Sequence, residues 1–148
     1  MYLSRFGVKN YKCLAEVEIP LTPLHVLIGP NDAGKTSLMQ ALFAFHASGF
    51  GLLAQAFPAP WSGQELLFEH RSSEAVELWG QWQRLGRREA EQAGSLGYGL
   101  AVRFPLEGQR CEVEHEWIER DGVRSSMARP ARRFRGLGSP RLTHEVAR

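Results

Sequence analysis

Between residues 29 and 37 the chain reads Gly29-Pro30-Asn31-Asp32-Ala33-Gly34-Lys35-Thr36-Ser37, which fits the spacing G-x-x-x-x-G-K-S/T. Glycines at the two fixed positions let successive backbone N–H groups turn inward around an anion. The lysine directly after the second glycine supplies a point charge, and the hydroxyl that follows it is placed to ligand Mg²⁺. The chemistry implied is capture of a nucleoside triphosphate. In this reading the backbone from Gly29 to Ser37 cradles phosphates, Lys35 reaches the β- and γ-phosphates, and Thr36 binds the metal. ATP and Mg²⁺ are the expected ligands.

Such a loop works only where a strand delivers it and a helix leaves it. Upstream, Leu24 to Ile28 is short and mostly apolar, the pattern of a strand buried on both faces. Downstream, Leu38, Ala41, Leu42 and Phe45 recur at the spacing of one buried helix face, and Gly49 and Gly51 mark the helix end. Two strands are expected earlier still. Tyr2 to Lys9 alternates with Tyr2, Ser4, Phe6 and Val8 on one face, and Asn10-Tyr11-Lys12 supplies a turn. Leu14 to Ile19 sets Ala15, Val17 and Ile19 against Glu16 and Glu18, until Pro20 and Pro23 end the strand.

The second half reads as antiparallel strands. Val76, Leu78, Gly80 and Trp82 share one face of the first, and Tyr98, Leu100, Val102 and Phe104 one face of the second. Cys111, Val113, His115 and Trp117 form the apolar face of a third, with glutamates opposite. Asp121-Gly122 is a tight hairpin turn leading to a fourth strand, Val123 to Met127. The stretch from Ser48 to Ser73 is a long connection with a short helix at Gln64 to His70, and Arg84 to Gly94 is a helix or a loop.

These residues resemble the ABC-type ATPase heads of the SMC, RecF and OLD group. The resemblance rests on Phe6, the Asn10-Tyr11-Lys12 turn, the strand near Val17, Leu24 to Ile28, the loop, and the helix beginning Leu38-Met39-Gln40-Ala41-Leu42. It implies an α/β fold of the P-loop NTPase type, a strand–loop–helix core joined to an antiparallel β lobe (an α+β lobe). It also implies that Asn31 and the turn residue Lys12 help hold nucleotide. Lys12 reads equally well as a solvated turn lysine. Asp32 departs from the Gly or Asn usual in the family and sets a negative charge near the phosphates unless it points outward.

Other parts of the family pattern are missing. A Walker B strand ends in Asp, usually followed by the Glu that orients water, yet the only aspartates are Asp32 and Asp121. Ser62-Gly63-Gln64-Glu65 looks like a signature motif but lies too close behind the loop, and is read as coincidence. No glutamine among Gln81, Gln83 and Gln109 stands out as the family's Q-loop residue. The chain is therefore expected to be an N-terminal lobe over residues 1–128, followed by an Arg-rich tail over 129–148. Alone it is expected to be inactive in hydrolysis, and a second lobe or homodimer partner is expected.

Composition agrees with one ordinary globular domain: 148 residues, 43% hydrophobic, 23% charged, net charge +2. Two distant cysteines, Cys13 and Cys111, make no disulfide framework, and five scattered histidines make no zinc site. With no long apolar run, the reading is a cytoplasmic protein with no membrane partner. Glu112, Glu114 and Glu116 read as one solvated strand face. Arg124, Arg129, Arg132, Arg133, Arg135, Arg141 and Arg148 make the C-terminal end basic, which suits either solvent or nucleic-acid phosphates. Three functions compete: an ATPase lobe whose full-length form couples ATP to DNA repair, maintenance or defence; a non-hydrolysing nucleotide-binding interaction module; and a small-molecule P-loop kinase. Kinases usually place the loop on their first strand, whereas here two amphipathic strands precede it.

Overall fold

In the computed structural model, residues 2–49, 56–57, 63–71, 73–83, 95–104 and 111–127 are described. They contain β1 (Tyr2–Tyr11), β2 (Leu14–Pro20), α1 (Lys35–Gly49), β3 (Val76–Gln83), β4 (Leu96–Arg103), β5 (Glu112–Arg120) and β6 (Val123–Met127). The strands form one antiparallel sheet in the order β2-β1-β3-β4-β5-β6. Its inner face follows from the period-two pattern: Phe6 and Val8, Val76 and Leu78, and Leu100 and Val102 are all buried there. Helix α1 lies against this face through Ala41, Ala44, Phe45 and Ala47. Small side chains on the helix allow close approach, and Phe45 fills the space that remains. Its ring centroid is 5.5 Å from Phe6 and 5.8 Å from both Trp82 and Tyr98. A Cβ on Gly80 would stand only 2.8 Å from Phe45 Cε1. The bare backbone there is what admits the ring.

The outer face is organised differently. One transverse register runs Glu18–Gly7–Trp79–Gly99–Trp117–Ser126 across five strand pairings. Each indole lies flat on the glycine beside it, Trp79 over Gly7 and Trp117 over Gly99. Trp79 Nε1 donates to Glu18 at 3.1 Å, and the Arg124 guanidinium stacks 3.8 Å from the Trp117 ring. Ion pairs Arg5–Glu18, Lys9–Glu77, Arg103–Glu114 and Arg124–Glu119 balance the charge around them. Exposed pairs of this kind contribute only about 0–1 kcal/mol each. They keep the face soluble rather than hold the fold.

Several sequence expectations need correction. Simple alternation fails at two bulges. Register shifts between Leu3 and Arg5, so Leu3 joins the core beside Trp82 while Tyr2 pairs with Gln83 on the other side. Register shifts again between Ala101 and Val102, where Glu114 is the extra residue on β5. Cys111 and Val113 therefore pack inward, but His115 and Trp117 face outward opposite Ala101 and Gly99. The three glutamates are split likewise: Glu114 pairs with Arg103, whereas Glu116 accepts the Tyr98 hydroxyl at 3.0 Å. The first hairpin turns at Lys12–Cys13, not at Asn10. The short helix expected over Gln64 to His70 is two 3₁₀ turns, Gly63–Leu66 and Phe68–His70.

The largest departure concerns Leu24 to Ile28. These residues pair with none of the described strands. Leu24 is 84% exposed and Ile28 90% exposed. An apolar run becomes a buried strand only if neighbours hydrogen-bond it on both sides, and none of the described strands does so. The Asp121-Gly122 hairpin forms as expected, with φ of 51° and 80°. Residues 84–94 and 128–148 lie outside the described residues, and so do the connecting segment and the tail expected there.

Two outcomes test the packing. Gly80→Val should drive methyl groups into Phe45 and Leu3 and lower unfolding free energy by about 1–3 kcal/mol in urea titrations. Burial raises the Tyr11 hydroxyl pKa to about 12 from its ordinary 10.0, and Tyr98 is raised by burial and by Glu116. Both phenols thus stay neutral in the folded chain while the unfolded chain ionises. Stability should be intact below pH 10 and fall as pH climbs from there toward 12, seen as phenolate absorbance rising together with loss of circular dichroism.

Candidate functional site

The glycine-rich loop sits where the β1–β2 hairpin meets the start of α1. Residues 25–30 have no regular secondary structure, a turn closes over 31–32, and the helix begins at Lys35. Ala33 N donates to Pro30 O at 3.4 Å, and the first helical bond runs from Leu38 N to Gly34 O at 2.9 Å. The earlier N–H groups of the helix have no intrahelical acceptor and make its amino end electropositive. Asp32 and Gly34 take left-handed backbone angles, φ of 63° and 81°. Aspartate tolerates that region better than most side chains, and here it is exposed. Gly34 has a second reason to be glycine. A Cβ there would lie 3.2 Å from both Cys13 Sγ and Leu14 Cδ2, so the hairpin tip is pressed against the loop.

Lys35 folds back over this turn. Its ammonium donates to the carbonyls of Gly29, at 2.7 Å, and Pro30. The positive charge is thereby held at the mouth of the loop. Thr36 is exposed in the first helical turn, with Ser37 half-buried beside it. Ser37 Oγ is 3.3 Å from Cys13 Sγ. Of the residues expected at the site, the structure brings Gly34, Lys35, Thr36 and Ser37 together at the helix start, with Lys12 on the adjoining hairpin.

The hairpin tip is itself clamped. Asn10 is 2% exposed and has φ of 57°. Its amide Nδ2 donates toward the carbonyls of Glu74 (3.0 Å), Ala75 (3.4 Å) and Arg71 (3.5 Å). Lys12 N donates to Leu66 O at 2.7 Å. The 3₁₀ segment near residue 63, which resembled a displaced signature motif, thus serves as packing under the tip. Leu66 and Leu67 are both buried. Lys12 Nζ donates to Gln40 Oε1 on α1 at 2.6 Å. Burial lowers the Lys12 pKa from its ordinary 10.5, and the neighbouring Cys13 partly opposes that.

Gln40, quoted above only as part of the helix, was not among the expected site residues, although it lies four residues after Thr36 and so on the same helix face. Gln83 is at the opposite end of β1 from the tip, paired with Tyr2, and Gln81 lies in β3 opposite Arg5. Asp121 is in the β5–β6 turn, where its Oδ1 accepts from Ser95 N at 3.2 Å. No described helix is long and apolar enough to cross a membrane.

Beside the loop is an open cleft of about 490 Å³, lined by Phe6, Ile19, Leu27, Leu38 and Leu42, with Lys35 and Thr36 also in its wall. Leu24, Val26 and Ile28 are exposed on the segment that supplies Leu27, and Met39 and Phe43 are exposed on α1.

Residues 1–75 match the family model described as AAA ATPase domain. The chain belongs to that family. Within it, this AAA ATPase domain is of the SMC, RecF and OLD type. It is 48% identical over 40 residues to the OLD nuclease of Thermus scotoductus, a match covering 27% of this chain and 8% of that protein. It is 33% identical over 98 residues to the DNA replication and repair protein RecF of Photorhabdus laumondii, covering 66% of this chain and 24% of that one. The chain thus spans a quarter or less of these curated relatives. A solved SMC ATPase structure, from work on ATP-driven dimerization and DNA-stimulated activation, shares the fold. It has a TM-score of 0.53 at 19% identity and covers 84% of this chain and 72% of that one. This AAA ATPase domain therefore has a P-loop NTPase fold, seen among the described residues as an antiparallel sheet with one α-helix against it.

The uncovered row has a direct test. Ile28→Lys in this AAA ATPase domain should change unfolding free energy by less than about 0.5 kcal/mol, since an exposed residue is replaced. Light scattering of the same protein should fall as the apolar row is broken.

Proposed function

We propose that the chain binds ATP with Mg²⁺ through the backbone of Gly29, Pro30, Asn31, Asp32, Ala33 and Gly34 and the residues Lys35, Thr36 and Ser37. The observation carrying this is the Lys35 ammonium at the mouth of a glycine-bounded turn that opens onto the amino end of α1. Phosphate oxygens fit there because the N–H groups of the first helical turn, the helix dipole and a cation converge. Lys12, at the adjoining hairpin tip, adds a second cation. Thr36 is suited to Mg²⁺ as a single hydroxyl ligand, since that ion commonly takes its other ligands from phosphates and water. Bound there, the metal would neutralise charge on the phosphates.

The full-length form is proposed to be an ATPase coupling nucleotide to work on DNA, in the cytoplasm. The names of the relatives support this: one is a DNA replication and repair protein, another a nuclease, and the solved neighbour is an SMC ATPase described as DNA-stimulated. Residues 1–128 are read as the N-terminal lobe and 129–148 as a basic continuation. A second lobe or a homodimer partner would cover Leu24, Val26 and Ile28, whose apolar side chains face solvent.

A second reading is favoured for the isolated chain by one observation. Asp32 is in the loop itself, and Asp121 is committed to the β5–β6 turn. Neither is placed to orient a water molecule. The chain alone is then a nucleotide-binding module that does not hydrolyse.

Isothermal titration should show ATP·Mg²⁺ binding that Lys35→Ala weakens about ten-fold or more, through loss of a charge-assisted contact. Phosphate release should stay near background at saturating ATP. Equal affinities would remove Lys35 from the site. Robust turnover abolished by Lys35→Ala would reveal a carboxylate outside those considered.

A further inference from the structure

The side chain of Lys12 is tied to the helix that leaves the loop. Nζ donates to Gln40 Oε1 at 2.6 Å, across 28 residues of sequence. Gln40 follows Thr36 by one helical turn on the same face. Along that side Cys13 Sγ approaches Ser37 Oγ at 3.3 Å, and Gly34 has no side chain to hold the tip away. The tip therefore rides along the first two turns of α1. Behind it, Asn10 and the Lys12 backbone are bonded to the carbonyls of Glu74 and Leu66. The hairpin backbone is fixed from the rear, and Gln40 holds the lysine side chain at the front.

A lysine stem has four rotatable bonds and loses much rotamer freedom when its ammonium is immobilised. If Gln40 already restrains it, less of that freedom remains to be lost on binding phosphate. The chemistry of the acceptor matters as well. A carboxamide oxygen restrains the ammonium without cancelling its charge, as a carboxylate would.

We propose that Gln40 is a positioning residue for nucleotide binding, holding the Lys12 ammonium beside the loop before phosphates arrive. The inference rests on the reading of Lys12 as a nucleotide contact. Gln40 is exposed, so its replacement leaves the core untouched.

The test is a fluorescence titration of the whole 148-residue chain with N-methylanthraniloyl-ATP and Mg²⁺, with a melting curve for each protein. Gln40→Met keeps length and removes the acceptor. It should weaken binding by about three- to ten-fold while the melting temperature stays unchanged. Lys12→Met should weaken binding at least as much, and the double variant no further than Lys12→Met alone, because the two residues act as one unit. Additive losses, or a Gln40→Met protein that binds as well as or better than the original, would overturn the role of Gln40. If Lys12→Met has no effect while Lys35→Ala does, Lys12 leaves the site and Gln40 with it, but the loop assignment stands. Absence of binding by the unsubstituted chain sinks the nucleotide reading and the inference together.

Discussion

The ring of Phe45 occupies a space that exists only because residue 80 has no side chain, and the placement of the loop depends on that contact. Phe45 touches Phe6 on β1, Trp82 on β3 and Tyr98 on β4, so one residue registers α1 against three adjacent strands. Burying such a side chain stabilises by roughly 1.5–3 kcal/mol, and tilted or offset aromatic pairs add about 0.5–1.5 kcal/mol each. Alanines at 41, 44 and 47 allow the helix to approach, but they do not select its position along the sheet. Phe45 does. Since Lys35, Thr36 and Ser37 are the first residues of the same rigid helix, the amino end that would meet phosphate is located by an aromatic contact nearly three turns away.

A second constraint acts from the other direction. The β1–β2 hairpin brings Lys12 and Cys13 against Gly34, and the tip is held there by backbone carbonyls accepting from Asn10 and from Lys12 N. Asn10 is the buried polar residue among those described, and its φ of 57° turns the strand end so that Tyr11 and Leu14 both bury. An amide is suited to that place because it donates to several carbonyls and tolerates a left-handed backbone. The site is thus gripped between a helix fixed by apolar packing and a hairpin fixed by hydrogen bonds.

The two sheet faces divide the remaining work. Inside, apolar side chains and α1 exclude water. Outside, two indoles laid over Gly7 and Gly99 and a set of balanced ion pairs close the surface without presenting a charged field. Leu24, Val26 and Ile28 remain exposed because none of the described strands pairs with the segment leading into the loop.

The loop and its lysine, the helix with Phe45 on its buried face, the inner faces of β3 and β4, and the Asp121-Gly122 turn were all legible in the sequence. Each is specified by residues close together in the chain: glycine spacing, helical or two-fold periodicity, and a dipeptide with positive φ. The bulges at Ser4 and Glu114 were not legible, because an extra residue is defined only by the partner strand opposite it. Neither was the fate of Leu24 to Ile28, since an apolar run states a preference for burial and the neighbours decide whether it is met. The contacts of Lys12 with Gln40 and of Cys13 with Ser37 join residues 28 and 24 positions apart, and their meeting depends on where the hairpin and helix come to rest. Sequence alone singled out the residues proposed to form a phosphate loop. Tertiary packing alone decided which residues stand around it, because that depends on how separately formed elements pack on a shared sheet.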